Sequence, residues 1–352
     1  MTSKTTKLPE IYAVLLVGGK GERFWPLSTP ERPKQFLRIF SNKTMIQETL
    51  ERISPLIPKR NIFYVLPPYL VDSLRKEIKG IRKENIIVEP MARNTAPAIA
   101  LATRTLLHKP DAIMTILPAD HLISPRRSFL SDLRAAAKLA QKGYLVTFGI
   151  EPVRSETGYG YIEFNSSSPL GKQGFKVKRF REKPDKKTAQ RYIKSGNFLW
   201  NSGIFAWRVE DIVEAFQKHH FETYHALLAS NTSKPILKKT YAKLEATSID
   251  YAIMEKAKNV AVLPARFKWD DVGSWTAVER HLPQGLDKNT RIGKLIVQDS
   301  EGCIAVAEDG EIALLGVRDL IVVKSGNKVL VCAKDRAADV KKILAQRARL
   351  KP

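Results

Sequence analysis

The pattern of hydrophobic positions predicts an alternation of strands and helices in the first half of the chain. Short, continuous apolar runs predict buried strands over residues 11–17, 62–66, 86–88, 113–117 and 144–150. The segments between them have helical periodicity and predict helices over residues 43–54, 69–78, 96–107 and 128–141. Continuous apolar strands separated by helices are typical of a mostly parallel, Rossmann-like sheet that is covered by helices on both faces.

The pattern changes towards the C-terminus. The middle of the chain is mixed, with predicted strands over 159–164, 175–181 and 203–207 and predicted helices over 209–221, 234–244 and 249–258. Later, short β runs over 292–297, 303–306, 312–315, 320–323 and 329–332 are separated by turn signals such as Asp309-Gly310, and a final helix is predicted over 336–348. We therefore predict an α/β domain over residues 1–285 and a small β-rich domain over residues 286–352 that ends in a helix.

Composition narrows the possible classes of protein. With 43% hydrophobic and 27% charged residues, the 352-residue chain is typical of a globular protein and not of a disordered one. Cys303 and Cys332 are too few for a disulfide framework and lack zinc-site spacing, so a cytoplasmic location is expected. No apolar run is long enough to cross a membrane, so we expect no membrane partner.

The chain carries a formal net charge of +23. Such an excess suits nucleic acid, an anionic surface or phosphate-rich small substrates. The basic residues are spread along the chain without a basic tail, which favours a solvated basic face for most of them. No nucleic-acid-binding motif accompanies the charge, so a nucleic-acid-binding protein stays an alternative that rests on charge alone.

A glycine-rich loop directly follows the first strand. Gly18, Gly19 and Gly21 allow backbone N–H groups to approach an anion closely, and Lys20 and Arg23 add positive charge. Neither the P-loop pattern nor the dinucleotide-binding GxGxxG pattern is present. The loop alone therefore leaves open whether it binds phosphate or is simply a tight connection.

The residues around this loop resemble a known family. GGKGERFWPLS, followed by RPKQFL with Lys34, is similar to the signature of sugar nucleotidyltransferases, in the branch of the mannose-1-phosphate guanylyltransferases. The resemblance implies a nucleotidyltransferase fold and transfer of GMP from GTP to mannose 1-phosphate, with Mg²⁺ or Mn²⁺. It places Gly18, Gly19 and Gly21 at the nucleotide and assigns Arg23 and Lys34 to the polyphosphate. It also implies a C-terminal segment like a β-helix or β-roll, through which a homodimer is expected.

A second matching stretch, EPMARNTAPA, begins at Glu89. The resemblance places it beside the nucleotide base, with Glu89, Asn94 and Thr95 binding the nucleotide. Guanine presents two neighbouring N–H donors that one carboxylate can accept, and adenine does not, so Glu89 is a candidate guanine reader. Asn94 or Thr95 can instead cap the helix that follows, which explains these two residues but not Glu89.

Two aspartates are candidate metal ligands. Asp120 follows a predicted parallel strand in LPADH, where ligands bind in such sheets, and Asp271 belongs to WDDVGSW. Mg²⁺ prefers oxygen ligands, typically one or two carboxylates together with substrate phosphates. The resemblance assigns the metal to Asp271 and makes Asp270 a variable position. Whether the two aspartates meet stays open from the sequence.

Three further motifs point to the sugar phosphate. By resemblance, Gly158 and Glu163 in GYGYIE line the sugar pocket, Lys183 in REKP holds the sugar 1-phosphate, and Asn201 in WNSGIF reads hydroxyls. Asp250 and Glu255 in SIDYAIME are interpreted only as acidic residues near a helix start.

Two alternatives remain within the family that the motifs resemble. In the first, the protein transfers GMP to a different sugar 1-phosphate. In the second, it is a regulatory relative without catalytic activity. The presence of Arg23, Lys34, Asp120, Lys183 and Asp271 argues against a silent relative.

Overall fold

The computed structural model describes residues 9–19, 21–171, 173–229, 236 and 238–349, so Lys20 lies outside the described residues. Their strands are β1 Ile11–Leu16, β2 Ile62–Leu66, β3 Ile86–Val88, β4 Ile113–Pro118, β5 Leu122–Ser124, β6 Leu145–Ile150, β7 Tyr161–Leu170, β8 Gly174–Arg181, β9 Phe198–Arg208, β10 Val260–Pro264, β11 Lys268–Asp270, β12 Thr290–Gln298, β13 Ile304–Leu315, β14 Leu320–Ser325 and β15 Lys328–Ala333. Their α-helices are α1 Met45–Ile53, α2 Val71–Glu77, α3 Thr95–Thr105, α4 Arg126–Ala140, α5 Lys186–Ser195, α6 Val209–His219, α7 Phe221–Thr223, α8 Lys238–Ala242, α9 Trp275–Glu279 and α10 Val340–Arg349.

A nine-stranded sheet forms the centre of the larger region, in the order β3-β2-β1-β4-β9-β6-β10-β8-β7. The pairs β3–β2, β2–β1, β1–β4 and β6–β10 are parallel, whereas β9 and β8 run against their neighbours. All strands of this sheet except β8 and β9 therefore point the same way, which confirms the predicted mostly parallel sheet. The carboxyl ends of β1, β3 and β4 share one edge, where parallel sheets bind ligands.

Helices cover both faces of this sheet because its strands are apolar on both sides. One buried cluster joins the sheet to α1, α2, α4 and α5, and a second joins its other face to α3, α6 and the segment around residues 249–254. The sequence did not predict α5, which begins after Asp185, whose side chain accepts a hydrogen bond from the backbone N–H of Thr188. Of the helix predicted over 234–244, the described residues form only α8, and residues 234, 235 and 237 lie outside the described part. The helix predicted over 249–258 is a short π-helical turn at Asp250–Met254.

The C-terminal region is a separate four-stranded sheet in the order β12-β13-β14-β15. Its first three strands pair in parallel, and β15 returns antiparallel to β14. This confirms a β-rich C-terminal part.

The prediction of two strands over 303–306 and 312–315 was wrong, because both lie in the single strand β13. Asp309-Gly310 does not end that strand, and the register of β12 shifts opposite it between Ile292 and Lys294. Gly293 permits this shift with φ +90°, where a Cβ would lie 2.0 Å from the carbonyl oxygen of Ala307.

A third buried cluster joins the C-terminal sheet to the residues that flank the glycine loop. Phe24 and Trp275 meet there with ring centroids 5.0 Å apart. The same cluster contains Ile321 and Val340 from the C-terminal part. The C-terminal sheet and α10 are therefore attached to the α/β part by a common hydrophobic core.

We predict that Ile321→Ala destabilises the α/β part as well as the C-terminal sheet. Ile321 is fully buried in the common core, and removal of such a side chain costs about 2–5 kcal/mol. All five tryptophans lie between residues 25 and 275, and Trp275 belongs to the common core, so urea unfolding followed by tryptophan fluorescence reports on the α/β part together with this core. The fluorescence midpoint should fall in Ile321→Ala.

Lys294→Ala is the control, because Lys294 lies in β12 of the same C-terminal sheet and is exposed. It should leave the midpoint nearly unchanged. An unchanged fluorescence midpoint in Ile321→Ala would contradict the structural coupling of the two parts.

Candidate active site

The glycine loop leaves open space above the end of β1. Gly18 and Gly19 are exposed, and no atom lies within 4 Å of the place where a Cβ would stand on either residue. Gly21 has φ +60°, and a Cβ there would lie 2.7 Å from the backbone nitrogen of Lys34. Glycine at position 21 thus lets the backbone of the RPKQFL segment pass directly against the loop.

Lys34 connects the two predicted metal ligands. Its side chain is only 9% exposed, and its Nζ lies 2.9 Å from Oδ2 of Asp120. The same Nζ donates a hydrogen bond to the backbone carbonyl of Asp271. Burial alone raises the pKa of Asp120, but the Lys34 ammonium outweighs it and holds the pKa of this carboxyl below its ordinary value. Asp120 is therefore ionised at neutral pH.

A two-stranded antiparallel ribbon brings Asp271 to this place. β11 pairs with β5, with Asp270 opposite Leu122, so the residue after β11 lies next to the residues that precede β5. His121, one of these, accepts a hydrogen bond from Nε1 of Trp269 at 3.0 Å. Burial lowers the pKa of His121 to about 4, which leaves it neutral and in a structural role.

Asp270 and Asp271 are adjacent but differ in their surroundings. The Asp270 carboxylate is buried and accepts hydrogen bonds from Arg280, His281 and the backbone N–H of Val272. Asp271 faces the cavity instead, where Oη of Tyr159 donates a hydrogen bond to its Oδ1. Asp270 thus anchors the segment, and Asp271 is presented to a ligand.

The backbone after Asp271 is strained. Val272 has φ +47°, a conformation that β-branched residues rarely adopt. Its side chain is fully buried in the common core, which holds the residue in place. Backbone strain of this kind often marks functional sites.

These residues line a cavity of about 500 Å³. Its lining consists of Gly21, Glu22, Arg23, Phe24, Lys34, Asp120, His121, Asp271, Val272, Gly273 and Lys341. The Arg23 guanidinium donates to the carbonyl of Gly273 at 3.3 Å and is exposed to the cavity. Cationic side chains and an open glycine loop around one cavity suit a phosphate-containing ligand.

The donor set fits a hard divalent cation that shares its ligands with a substrate. Asp120 and Asp271 supply carboxylate oxygens, and the Lys34 ammonium already places a positive charge between their segments. In the described part of the chain, no cluster of three or more His, Cys, Asp or Glu side chains is arranged to hold a metal. A cation here needs further oxygens from phosphate or water, as Mg²⁺ does.

The predicted base-binding residues lie after β3. Glu89 is 9% exposed, and its Oε1 accepts hydrogen bonds from Oη of Tyr241 at 2.9 Å and the backbone N–H of Arg93 at 3.3 Å. Burial raises its pKa. Asn94, with φ +67°, caps α3 by accepting from the backbone N–H of Thr95, and Oγ1 of Thr95 accepts from the backbone N–H of Ile249. The side chains of Asn94 and Thr95 thus form local structural contacts.

A second polar cluster surrounds Asn201. Its Oδ1 accepts from Oγ1 of Thr147, and its Nδ2 donates to Oδ1 of Asp250, each at 2.9 Å. Glu182 lies close by, 2.4 Å from the place where a Cβ would stand on Gly160. The Oε2 of Glu182 is buried and lacks a hydrogen-bond partner among the described residues. An unsatisfied buried carboxylate oxygen is a natural acceptor for a ligand hydroxyl.

Lys183 stands at the edge of this cluster. Its Nζ lies 3.2 Å from Oε1 of Glu182, its side chain is 60% exposed, and its backbone has φ +46°. The Lys183 backbone N–H donates to the carbonyl of Tyr159 at 3.2 Å, which brings the exposed Gly158 close in space, and the Gly158 N–H donates to Oε1 of Glu156.

The structure does not bring Glu163 to this cluster. Both of its carboxylate oxygens are engaged, one by Lys178 at 2.8 Å and the other by Arg179 at 3.0 Å. Side chains alternate between the faces of a strand, and Glu163 lies an odd number of residues from Gly160, whose face points towards Glu182. The sugar-binding role predicted for Glu163 therefore has no geometric support.

Three acidic residues lie in this cluster without having been predicted as site residues. They are Glu182, Asp250 and Glu255, and Oε1 of Glu255 accepts from the backbone N–H of Glu182 at 3.1 Å. Burial and the neighbouring Glu182 raise the pKa of Asp250 to about 7. A signal for Glu182 was present in the sequence, because it precedes Lys183 in the same motif.

Comparison with known proteins decides the family. The family model described as "Nucleotidyl transferase" matches residues 12–285, and one described as "MannoseP isomerase/GMP-like beta-helix domain" matches residues 293–346. The alginate biosynthesis protein AlgA of Pseudomonas aeruginosa is 35% identical over 94% of this chain and 71% of its own length. The mannose-1-phosphate guanylyltransferase of Klebsiella pneumoniae is 36% identical over 94% of this chain and 72% of its own length. The chain belongs to the nucleotidyl transferase family.

A solved structure supports the same placement. The crystal structure of a mannose-1-phosphate geranyltransferase from Thermus thermophilus is 36% identical and has a TM-score of 0.90. The match covers 96% of this chain and 99% of that one. Within the nucleotidyl transferase family, the chain therefore falls with the mannose-1-phosphate guanylyltransferases, as its motifs predicted, and its C-terminal region corresponds to their β-helix-like domain.

In this nucleotidyl transferase, we expect stability to depend on pH through Asp250. An unfolded aspartate ionises near pH 4, about three units below the folded pKa of about 7. Between these values the folded protein holds a proton that the unfolded chain has released, so stability should fall as the pH rises through this window.

Asp250→Asn retains the oxygen that accepts from Asn201 but cannot ionise, so it should remove this pH dependence. Relative to the wild type, the variant should gain about 2–3 kcal/mol of unfolding free energy between pH 5 and pH 8, measured by urea denaturation. Glu84→Gln, on the exposed surface, is the control and should follow the wild type. Parallel curves for Asp250→Asn and the wild type would contradict the assignment.

Proposed function

We propose that this protein transfers GMP from GTP to mannose 1-phosphate and forms GDP-mannose and pyrophosphate. One observation carries the proposal: Asp120 and Asp271, from motifs far apart in the sequence, lie around Lys34 in one cavity beside the glycine loop. The names of the similar proteins support mannose 1-phosphate as the sugar substrate.

The reaction is a single in-line displacement. An oxygen of the mannose 1-phosphate attacks the α-phosphorus of GTP, a new P–O bond forms, and the bond to the bridging oxygen of pyrophosphate breaks. The electron pair leaves with pyrophosphate, and no side chain forms a covalent bond. The protein's contribution is orientation and neutralisation of charge.

The triphosphate is held over the glycine loop. Gly18 and Gly19 border the open space above β1, Gly21 lines the cavity, and Arg23 adds a guanidinium at the cavity wall. Lys34 neutralises charge at the α-phosphate and fixes the two aspartates relative to each other.

Asp120 and Asp271, together with phosphate oxygens, would hold a divalent cation, Mg²⁺ or Mn²⁺. When bound, it polarises the α-phosphate and makes the phosphorus more susceptible to attack. Tyr159 orients the Asp271 carboxylate by its hydrogen bond.

The sugar phosphate lies at the cluster around Asn201. The exposed Lys183 ammonium binds the incoming phosphate, and Gly158 belongs to the neighbouring loop. Glu182 accepts from a sugar hydroxyl with its unpartnered Oε2 and takes the role predicted for Glu163. Asn201 lies beside Glu182 next to Gly160 and reads sugar hydroxyls from the same side.

The guanine base lies next to Glu89. One of its carboxylate oxygens is engaged by Tyr241 and Arg93, which fixes the group for recognition of the guanine N–H donors. Asn94 and Thr95 shape this loop through their contacts with α3 and Ile249.

A homodimer through the C-terminal sheet and a cytoplasmic location complete the proposal. Apolar side chains are exposed on that sheet at Ile296, Leu315, Val329 and Val331, as expected for a surface that associates. Among the described residues, no helix is long and apolar enough to cross a bilayer.

Pyrophosphate release by the purified protein tests the function. GTP and ATP are each combined with mannose 1-phosphate and glucose 1-phosphate, with and without Mg²⁺. We expect release with GTP and mannose 1-phosphate that depends on both substrates and on the metal. Pyrophosphate release with glucose 1-phosphate only would assign a different sugar substrate. No pyrophosphate release from folded protein would overturn the proposal.

Asp120→Asn and Asp271→Asn should each lower kcat by about 10²-fold or more, because each removes charge directed at the reacting phosphate. Both variants should keep the wild-type circular dichroism spectrum, and Asp120→Asn should in addition lower the urea midpoint, because it removes the charge that faces the buried Lys34 ammonium. Asp111→Asn, on the exposed surface, is the control and should retain the wild-type kcat. Near-normal turnover in either cavity variant would remove that residue from the proposed metal site.

A further inference from the structure

Among the described residues, one side chain from the C-terminal part lines the candidate active-site cavity. Lys341, in the first turn of α10, lines it together with Gly21, Arg23, Lys34 and Asp271. No motif in the sequence indicated this residue, because it lies far from the matched stretches. The cavity wall is therefore formed by residues of the α/β part and of the C-terminal part.

The position of Lys341 is fixed by its neighbours. Val340, the residue before it, is 1% exposed and belongs to the common core with Phe24 and Trp275. Lys334, just before α10, pairs with Glu279 at 2.6 Å and donates to the carbonyl of Gly302. The start of α10 is thus held against the 3₁₀ turn at Glu22–Phe24, which follows the glycine loop.

The alternative is that Lys341 is an ordinary solvated surface lysine. Lys342, the next residue, is an example of such a lysine. Lys342 is 68% exposed and pairs with Asp339 at 2.7 Å on the outside of the helix. Lys341 is exposed as well, but it has no ion pair within the described residues and borders a cavity that already contains Arg23 and Lys34.

We infer that Lys341 binds the β- and γ-phosphates of GTP, the part that leaves as pyrophosphate. Asp120, Asp271 and Lys34 define where the α-phosphate lies, and Lys341 reaches the cavity from the side of Glu22 and Arg23. The residues of the sugar cluster do not line this cavity. A triphosphate carries several negative charges, and a lysine binds such a group as a point charge. The inference rests on the proposed function.

The test compares full-length Lys341→Ala, Lys341→Gln and Lys341→Arg with Lys342→Ala. Loss of a charge-assisted contact is expected to raise the KM for GTP in the forward reaction and the KM for pyrophosphate in the reverse reaction by about tenfold in the Ala and Gln variants. The KM values for mannose 1-phosphate and GDP-mannose should stay unchanged. Lys341→Arg should restore most of the affinity, and Lys342→Ala should match the wild type.

Calorimetric binding of GTP and GMP separates this inference from the proposed function. Lys341→Ala should weaken GTP binding but not GMP binding, because GMP lacks the β- and γ-phosphates. Equal weakening of GTP and GMP binding in Lys341→Ala would overturn the role of Lys341, and so would a GTP affinity equal to that of Lys342→Ala. In both cases an active wild type would leave the proposed function intact. A wild type that bound no GTP would overturn both.

Discussion

The ammonium group of Lys34 is the interaction on which the site depends. It is largely buried and faces the Asp120 carboxylate on one side and the Asp271 carbonyl on the other. A buried cation is stable only when such partners compensate for its lost hydration. The backbone of Lys34 is in turn pressed against Gly21, so the glycine loop, the end of β4 and the segment after β11 are fixed relative to one another.

A common hydrophobic core gives this arrangement its support. Phe24 and Trp275 pack behind the cavity, together with the buried side chain of the strained Val272. The C-terminal sheet completes that core with residues such as Ile321. The C-terminal region, which is a separate small domain in the sequence prediction, is therefore part of the packing that keeps the cavity-lining residues in position.

Much of the fold and the family could be predicted from the sequence, because the signals for strands, turns and motifs are local. Apolar runs and turn residues located most strands, and the motif order predicted the family. The meeting of Asp120 with Asp271 could not be predicted, since it depends on the pairing of β5 with β11. The position of Glu163 outside the cluster could not be predicted either, because the face that a strand residue occupies follows from its register, which the sequence does not display. Lys341 carries no local signal and is brought in only by long-range packing.

The contribution of α10 to the cavity also affects how the site is completed during synthesis. A ribosome releases the chain from its N-terminus, so the glycine loop, Asp120 and Asp271 emerge well before residue 341. The α/β part can then assemble its sheet while one wall of the phosphate cavity is still missing. The cavity closes only when α10 docks beside the turn at Glu22–Phe24, so its completion follows the synthesis of the whole α/β part.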